Sequence, residues 1–226
     1  MTVLQILTQY WPLLLQGFET TLILAAVGFV IGAATGLPLS LIEVYGPREL
    51  RWIVSSYVEL IRGTPMLVQL FLIYYALPQL GITFDPMSAA IIGLGMNSGA
   101  YQAEYFKGAI NSVHSGQMEA AVSIGLSKTQ AILEVILAQA LRLVIPAWTN
   151  EAVYLIQYSS IVYLITVIEL TGIGTIIGTQ TYQYVSTYIV IAIIYLATTF
   201  AIVKTSHLIE FKTAIPGLTT KNLRFQ

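Results

Sequence analysis

Five long, predominantly apolar runs confine this chain to a fold that lives in a bilayer. They cover residues 20–42, 52–77, 88–110, 143–167 and 185–204. A helix rising 1.5 Å per residue needs about 20 residues to cross a hydrocarbon core of about 30 Å. Each run meets that length. Of the 226 residues 56% are hydrophobic and only 9% are charged, whereas soluble domains carry about 25% charged residues. A surface this apolar must be covered by lipid. The expected fold is therefore a single all-α integral membrane domain over residues 1–226, with five transmembrane helices.

The cations set an expected orientation. Arg48 and Arg51 lie between the first two runs, and Lys107, Lys128 and Arg142 lie at the ends of, or within, the link between the third and fourth. Lys204, Lys212, Lys221 and Arg224 follow the fifth. Segments 1–19, 78–87 and 168–184 contain no Lys or Arg. By the positive-inside rule the cationic loops are cytoplasmic, with the N-terminus outside and the C-terminus inside, as an odd number of spans requires. The first cation is Arg48, so the basic region that opens a cleavable signal is missing and the first run is expected to stay as a span. Ahead of it, residues 4–11 are expected to form a short interfacial helix that Pro12 breaks.

Several chemistries are excluded. The chain has no cysteine, hence no disulfide, thiolate metal site or Cys nucleophile. His114 and His207 are too far apart for a ligand pair. Nothing matches the phosphate-cradling G-x-x-x-x-G-K-[ST] loop, so this chain does not hydrolyse ATP. No nucleophile–base cluster marks an intramembrane enzyme.

Polar residues at membrane depth carry the functional signal, because each costs about 2.5 kcal/mol or more to insert when charged. Glu59 and Arg62, and likewise Glu104 and Lys107, are three apart and expected to neutralise each other. Glu151 has no cation three or four residues away. It is either a hydrogen-bonded structural glutamate or a carboxylate on a solute pathway. Residues 93–99 combine three glycines with Asn97 and Ser98, a pattern that invites local helix distortion and a carboxylate-binding backbone; the alternative is close helix packing. Asn97, Ser98, Tyr101, Glu151 and Tyr154 are the candidate solute-binding residues. Gln157, Tyr158 and Tyr163 lie further out, and Glu169 is expected to be solvated in an outer loop. Gly28, Gly32 and Gly36, one turn apart, read as a helix-packing face.

The polar stretch after residue 110 reads as a short cytoplasmic helix over 115–125. Ser115 is placed to cap it and Gly125 to end it. Met118, Ala121 and Val122 share a face, with Met118 and Val122 available to a partner groove.

Glu119-Ala120-Ala121 followed by Gly125 resembles the EAA loop of bacterial ABC-importer permeases. Arg62-Gly63-Thr64-Pro65, SGAYQAEYFKGAI at 98–110, GQMEAA at 116–121, QALR at 139–142, Asn150-Glu151 and VIEL at 167–170 narrow it to the permeases of polar amino-acid importers of the histidine, arginine and glutamine type. The likeness covers nearly the whole chain, in order. It implies that Ser115, Gly116, Met118, Glu119, Ala120, Ala121 and Gly125 form a coupling helix resting on an ATPase subunit. It also implies a pair of permeases, identical or paralogous, in the bacterial cytoplasmic membrane. Two ATPases that hold the ATP and Mg, and an external amino-acid-binding protein, complete the assembly; this chain itself takes no cofactor and no nucleic acid. Two positions depart from the family. Leu137 is followed by Ala138 where relatives have Leu-Pro, so the turn there is expected to be less kinked. Gln157 precedes Ser159-Ser160 where relatives often have Lys.

A secondary transporter driven by an ion gradient is the alternative. It predicts an inverted repeat, and the second half does not mirror the first. The unpaired Glu151 points to a basic amino acid as cargo, with glutamine next.

Overall fold

Thr2 opens the described chain with a reciprocal cap on α1 (Val3–Gln9): its hydroxyl accepts from the Gln5 amide and its own amide donates to Gln5 Oε1. The computed structural model describes residues 2–213, and the expected cations Lys221 and Arg224 lie outside them. All regular structure among these residues is helical.

The chain breaks at Tyr10, and Pro12 stands in the first turn of α2 (Trp11–Tyr45). A proline there loses no helical hydrogen bond and presets the backbone. Pro12 thus opens the long helix instead of ending the short one, and α2, at 35 residues, extends past both ends of the expected 20–42 span.

Helix α2 lies along α5 (Pro86–Ser112), and their small residues explain the closeness. A Cβ on Gly28 would stand 3.2 Å from Leu94 Cβ, and one on Gly36 2.9 Å from the Ala103 amide nitrogen. From the other side, a Cβ on Gly95 would stand 2.7 Å from Ile31. In lipid, where apolar burial does not drive helices together, such close packing does. The glycine-rich stretch 93–99 accordingly leaves α5 unbroken, correcting the expected distortion: its glycines are spaces for neighbouring side chains. Asp85 caps α5, and the Ser88 hydroxyl (2.5 Å) and amide (3.1 Å) hold its carboxyl below the usual carboxylate range.

The run 52–77 is not one helix. It divides into α3 (Arg48–Gly63) and α4 (Met66–Phe71), the latter continued by a π turn at Leu72–Ala76 and a 3-10 turn at Leu77–Leu80. The two parts are bent by 102°. Pro65 forces the cause: the residue before a proline avoids the helical region, and Thr64 is extended at φ −106°, ψ 131°. Gln69 repairs the break, its amide donating to the carbonyls of Ile61 (2.7 Å) and Thr64 (2.8 Å). In a membrane such freed backbone groups must find an internal partner.

After α6 (Gly116–Ser123), α7 (Lys128–Gln130) runs through a π segment, Ala131–Ile136, into α8 (Leu137–Leu143). A 55° bend leads to α9 (Ile145–Tyr158) and a 3-10 segment, Ser159–Ile165. Pro146 stands in the first turn of α9. The run 143–167 is therefore two helix types, stopped by Thr166 at φ 71°. Residues expected as an outer loop form α10 (Leu170–Thr181), and α11 (Tyr184–Thr213) closes the fold.

Helices α2 and α11 are by themselves long and apolar enough to cross a membrane, and each bent pair adds one candidate, giving up to four. Helix α5, 27 residues long, carries Asn97, Ser98, Gln102 and Glu104. The first three are buried, so they do not meet lipid. Two of the three cation-free segments come together: Ile6 and Leu14 pack with Leu170, Ile173 and Ile177 in one apolar cluster. A separate cluster joins the end of α5 to the start of α8 through Phe106, Ile110, Val113, Ile136 and Leu137.

Candidate functional site

At the centre of the fold α5 and α9 each present one polar face to the other. Ser98 and Glu151, 53 residues apart in sequence, meet there: Ser98 Oγ donates to Glu151 Oε1 at 2.6 Å. Ser98 is fully buried and Glu151 is 4% exposed. Gln102, one turn beyond Ser98, donates to Ser98 Oγ (3.0 Å) and to the carbonyl of Phe29 (3.0 Å), tying the pair to α2. Tyr105 flanks the carboxylate from the next turn of α5. Among the described residues no Lys or Arg forms an ion pair with Glu151.

Four tyrosines lie in the neighbourhood of this carboxylate, of which Tyr105 bonds it. Tyr101 and Tyr105 are neighbours on α5, with ring centroids 6.4 Å apart. Tyr154 stacks on Tyr158 of α9 at 6.1 Å and 18°. Tyr154 is 48% exposed, so it lies at the rim of the polar centre, and Gln157 is likewise exposed. Asn97 is buried but does not join Glu151; its amide donates to Gln69 Oε1 at 3.3 Å. The structure thus brings Ser98, Tyr101, Glu151 and Tyr154 around one centre and turns Asn97 toward the α3–α4 bend.

The charged residues rearrange relative to the sequence expectation. Arg62 pairs with Glu104 at 3.6 Å, not with its helix neighbour Glu59, which is exposed. Lys107 does bond Glu104 at 3.1 Å, as its spacing implied, and also reaches Glu43 of α2 at 3.1 Å. Glu169, expected in solvent, is fully buried. It caps α10, accepting from the amides of Thr171 (2.9 Å) and Gly172 (2.8 Å) and from the Tyr195 hydroxyl (2.8 Å). A carboxylate with several donors is well kept in an apolar core.

Gln69, Gln102 and Tyr105 escaped the sequence reading. Gln102 and Tyr105 carried a usable signal, sitting one and two turns from Ser98 on the same helix face. Gln69 carried none, since its partners are backbone carbonyls exposed only by the bend.

The second candidate surface is α6. Gly125 ends this segment in a left-handed conformation (φ 94°) that glycine adopts without strain. Ser115 makes no side-chain cap; His114 Nδ1 accepts from the Gly116 amide at 3.2 Å instead. Ala121 is buried, and Met118 is half-buried, packing against the cluster around Phe106. Val122 (51% exposed) and Ile124 (81% exposed) carry the outward apolar surface, with Glu119 and Ala120 also outward.

Comparison with known proteins places these two features in a family. Residues 28–213 match the profile of the binding-protein-dependent transport system inner membrane component. The chain is 40% identical over 187 residues to the probable amino-acid ABC transporter permease protein YckA of Bacillus subtilis, covering 83% of each. It is 38% identical over 202 residues to the L-cystine transport system permease protein TcyB of the same organism, covering 89% of this chain and 86% of that one. Among solved structures, an amino acid ABC transporter with histidines superposes with a TM-score of 0.85 at 38% identity, over 91% of this chain and 96% of that one. With the profile match spanning most of its length and the polar centre built on helices inside that match, the chain belongs to the binding-protein-dependent transport system inner membrane component family.

Proposed function

We propose that this chain is the permease subunit of an ATP-driven amino-acid importer, and that basic amino acids are its preferred cargo. The carrying observation is Glu151: a buried carboxylate bonded to Ser98, with tyrosines nearby and no Lys or Arg ion-paired to it among the described residues. An acid at membrane depth demands a partner, and a cationic side chain of arginine, lysine or histidine meets that demand. Tyrosine faces attract the same cations. Ser98, Tyr101, Glu151 and Tyr154 contact the solute, and Asn97 instead ties α5 to the α3–α4 bend through Gln69. Relatives named for amino-acid and cystine transport, and a structural neighbour named with histidines, support the amino-acid class.

The reading extends to topology and assembly. Five spans, counting each bent pair as one and α5 as another, put the N-terminus outside and α6 in the cytoplasm. The packing of residues 1–19 against 168–184 fits these two cation-free segments lying on one side. A pair of such permeases, each docked through α6 on an ATPase that carries ATP and Mg, receives cargo from an external binding protein in the bacterial cytoplasmic membrane. ATPase closure moves α6 through Val122, Ile124 and Glu119 and tilts the spans, giving alternating access.

The test is ATP hydrolysis by the complete complex in liposomes across a panel of amino acids. Basic amino acids should stimulate it most, and Glu151→Gln should lower stimulation by arginine about tenfold or more while glutamine changes little. Equal loss for both would make Glu151 structural. Robust uptake by this subunit alone on an ion gradient would instead favour a secondary transporter.

A further inference from the structure

The polar centre has a cation of its own nearby, and it sits on one of the aromatic walls. Arg62 places its guanidinium 5.2 Å from the centroid of the Tyr101 ring. It is tethered to Glu104 by an ion pair at 3.6 Å between side chains that are 38% and 30% exposed. A pair so open to solvent is weak. A guanidinium on a tyrosine face is also the contact that an arginine substrate would make there.

Arg62 stands at a place that can move. It is next to last in α3, followed by Gly63, around which a Cβ would find open space. The 102° bend comes directly after. Gln69 of α4 bonds the Ile61 carbonyl of α3 and accepts from Asn97 of α5, so the bend region meets α5 at two places, Arg62 with Tyr101 and Gln69 with Asn97.

We infer that Arg62 is a built-in stand-in for the cationic cargo, resting on the Tyr101 face and giving way when a basic amino acid arrives. The inference rests on the solute site proposed above and names a residue that limits its affinity for cations. A basic solute must displace a resident cation and regains the same ring contact. A neutral solute gains nothing by that displacement. Arg62 therefore lowers affinity for basic solutes while making their entry move α3, the helix that carries it.

The test measures equilibrium binding of radiolabelled L-arginine and L-glutamine to the purified permease–ATPase complex. Arg62→Gln should tighten arginine binding about threefold to tenfold, the scale of one partly desolvated cation–aromatic contact, and leave glutamine within twofold. Arg62→Lys keeps a competing charge and should bind arginine as the wild type does. Should Arg62→Gln fail to assemble, the wild-type complex decides: saturating L-lysine should raise the rate at which phenylglyoxal modifies Arg62, read by mass spectrometry. Equal changes for arginine and glutamine in Arg62→Gln, or unchanged or slower modification with lysine present, would overturn the inference and leave the solute site standing. Failure of the wild type to bind any basic amino acid would instead remove the proposed cargo, and the inference with it.

Discussion

Adding one methyl group at Gly32 should damage the solute site from behind. Gly32 lies on the face of α2 that meets α5, directly opposite Ser98. A Cβ there would overlap Ser98 Oγ, stand 2.5 Å from Gln102 Nε2 and 2.7 Å from Ser98 Cβ. The Gln102 amide cannot swing away freely, because it bonds both Ser98 and the Phe29 carbonyl. Ser98 Cβ is fixed to the backbone of α5. The overlap must be relieved by separating the helices, or by rotating Ser98 off Glu151. Overpacking of this kind costs about 1–3 kcal/mol, and losing a hydrogen bond to a carboxylate costs about 1.5–3 kcal/mol. Since relief of one draws on the other, the two do not add fully. At 1.4 kcal/mol per factor of ten, Gly32→Ala should weaken arginine binding to the permease–ATPase complex about tenfold to a hundredfold. Gly28→Ala is the control. One turn away, its Cβ meets Leu94 Cβ at 3.2 Å and Leu155 at 3.4 Å, both apolar, so it should lower thermal stability but leave binding within about threefold. Equal binding losses in the two variants would refute the link between Gly32 and the site.

Two further substitutions test other parts of the fold. Glu169→Gln turns one acceptor atom into a donor among the amides of Thr171 and Gly172 and the Tyr195 hydroxyl; it should cost about 1–3 kcal/mol, read as a lower unfolding midpoint with normal ATPase binding. Ile124→Asp puts a charge at the most exposed apolar position of the α6 segment; it should weaken ATPase co-purification about tenfold or more, the scale of burying one such side chain, without altering the unfolding midpoint of the isolated subunit. Retained co-purification would remove this surface from the docking interface.

The limits of the sequence show at individual residues. Glu104–Lys107 was legible because helical spacing alone brings residues three apart together. Arg62–Glu104 was not, since Arg62 had an equally well spaced acid in Glu59 and only the approach of α3 to α5 decided between them. The 52–77 run passed as one span because its length and its mostly apolar composition met the requirement, although Pro65 was in plain view. Hydropathy reports what lipid tolerates; it does not report direction, and a proline can kink a span or turn it through 102°. Glu169 was misjudged for a related reason: flanking composition suggested a loop, while three donors from α10 and α11 made burial affordable.

Composition and run length alone determined that the chain belongs in a bilayer, and residue order alone supplied the polar positions at depth and the α6 segment bounded by Gly125. Tertiary structure decided which of those positions meet. Ser98 and Glu151 lie 53 residues apart, and periodicity fixes a residue's face on its own helix without saying which helix that face will see. That choice was made by the small residues of α2 and α5, whose close approach turns Ser98 and Gln102 inward and leaves Glu151 of α9 facing them.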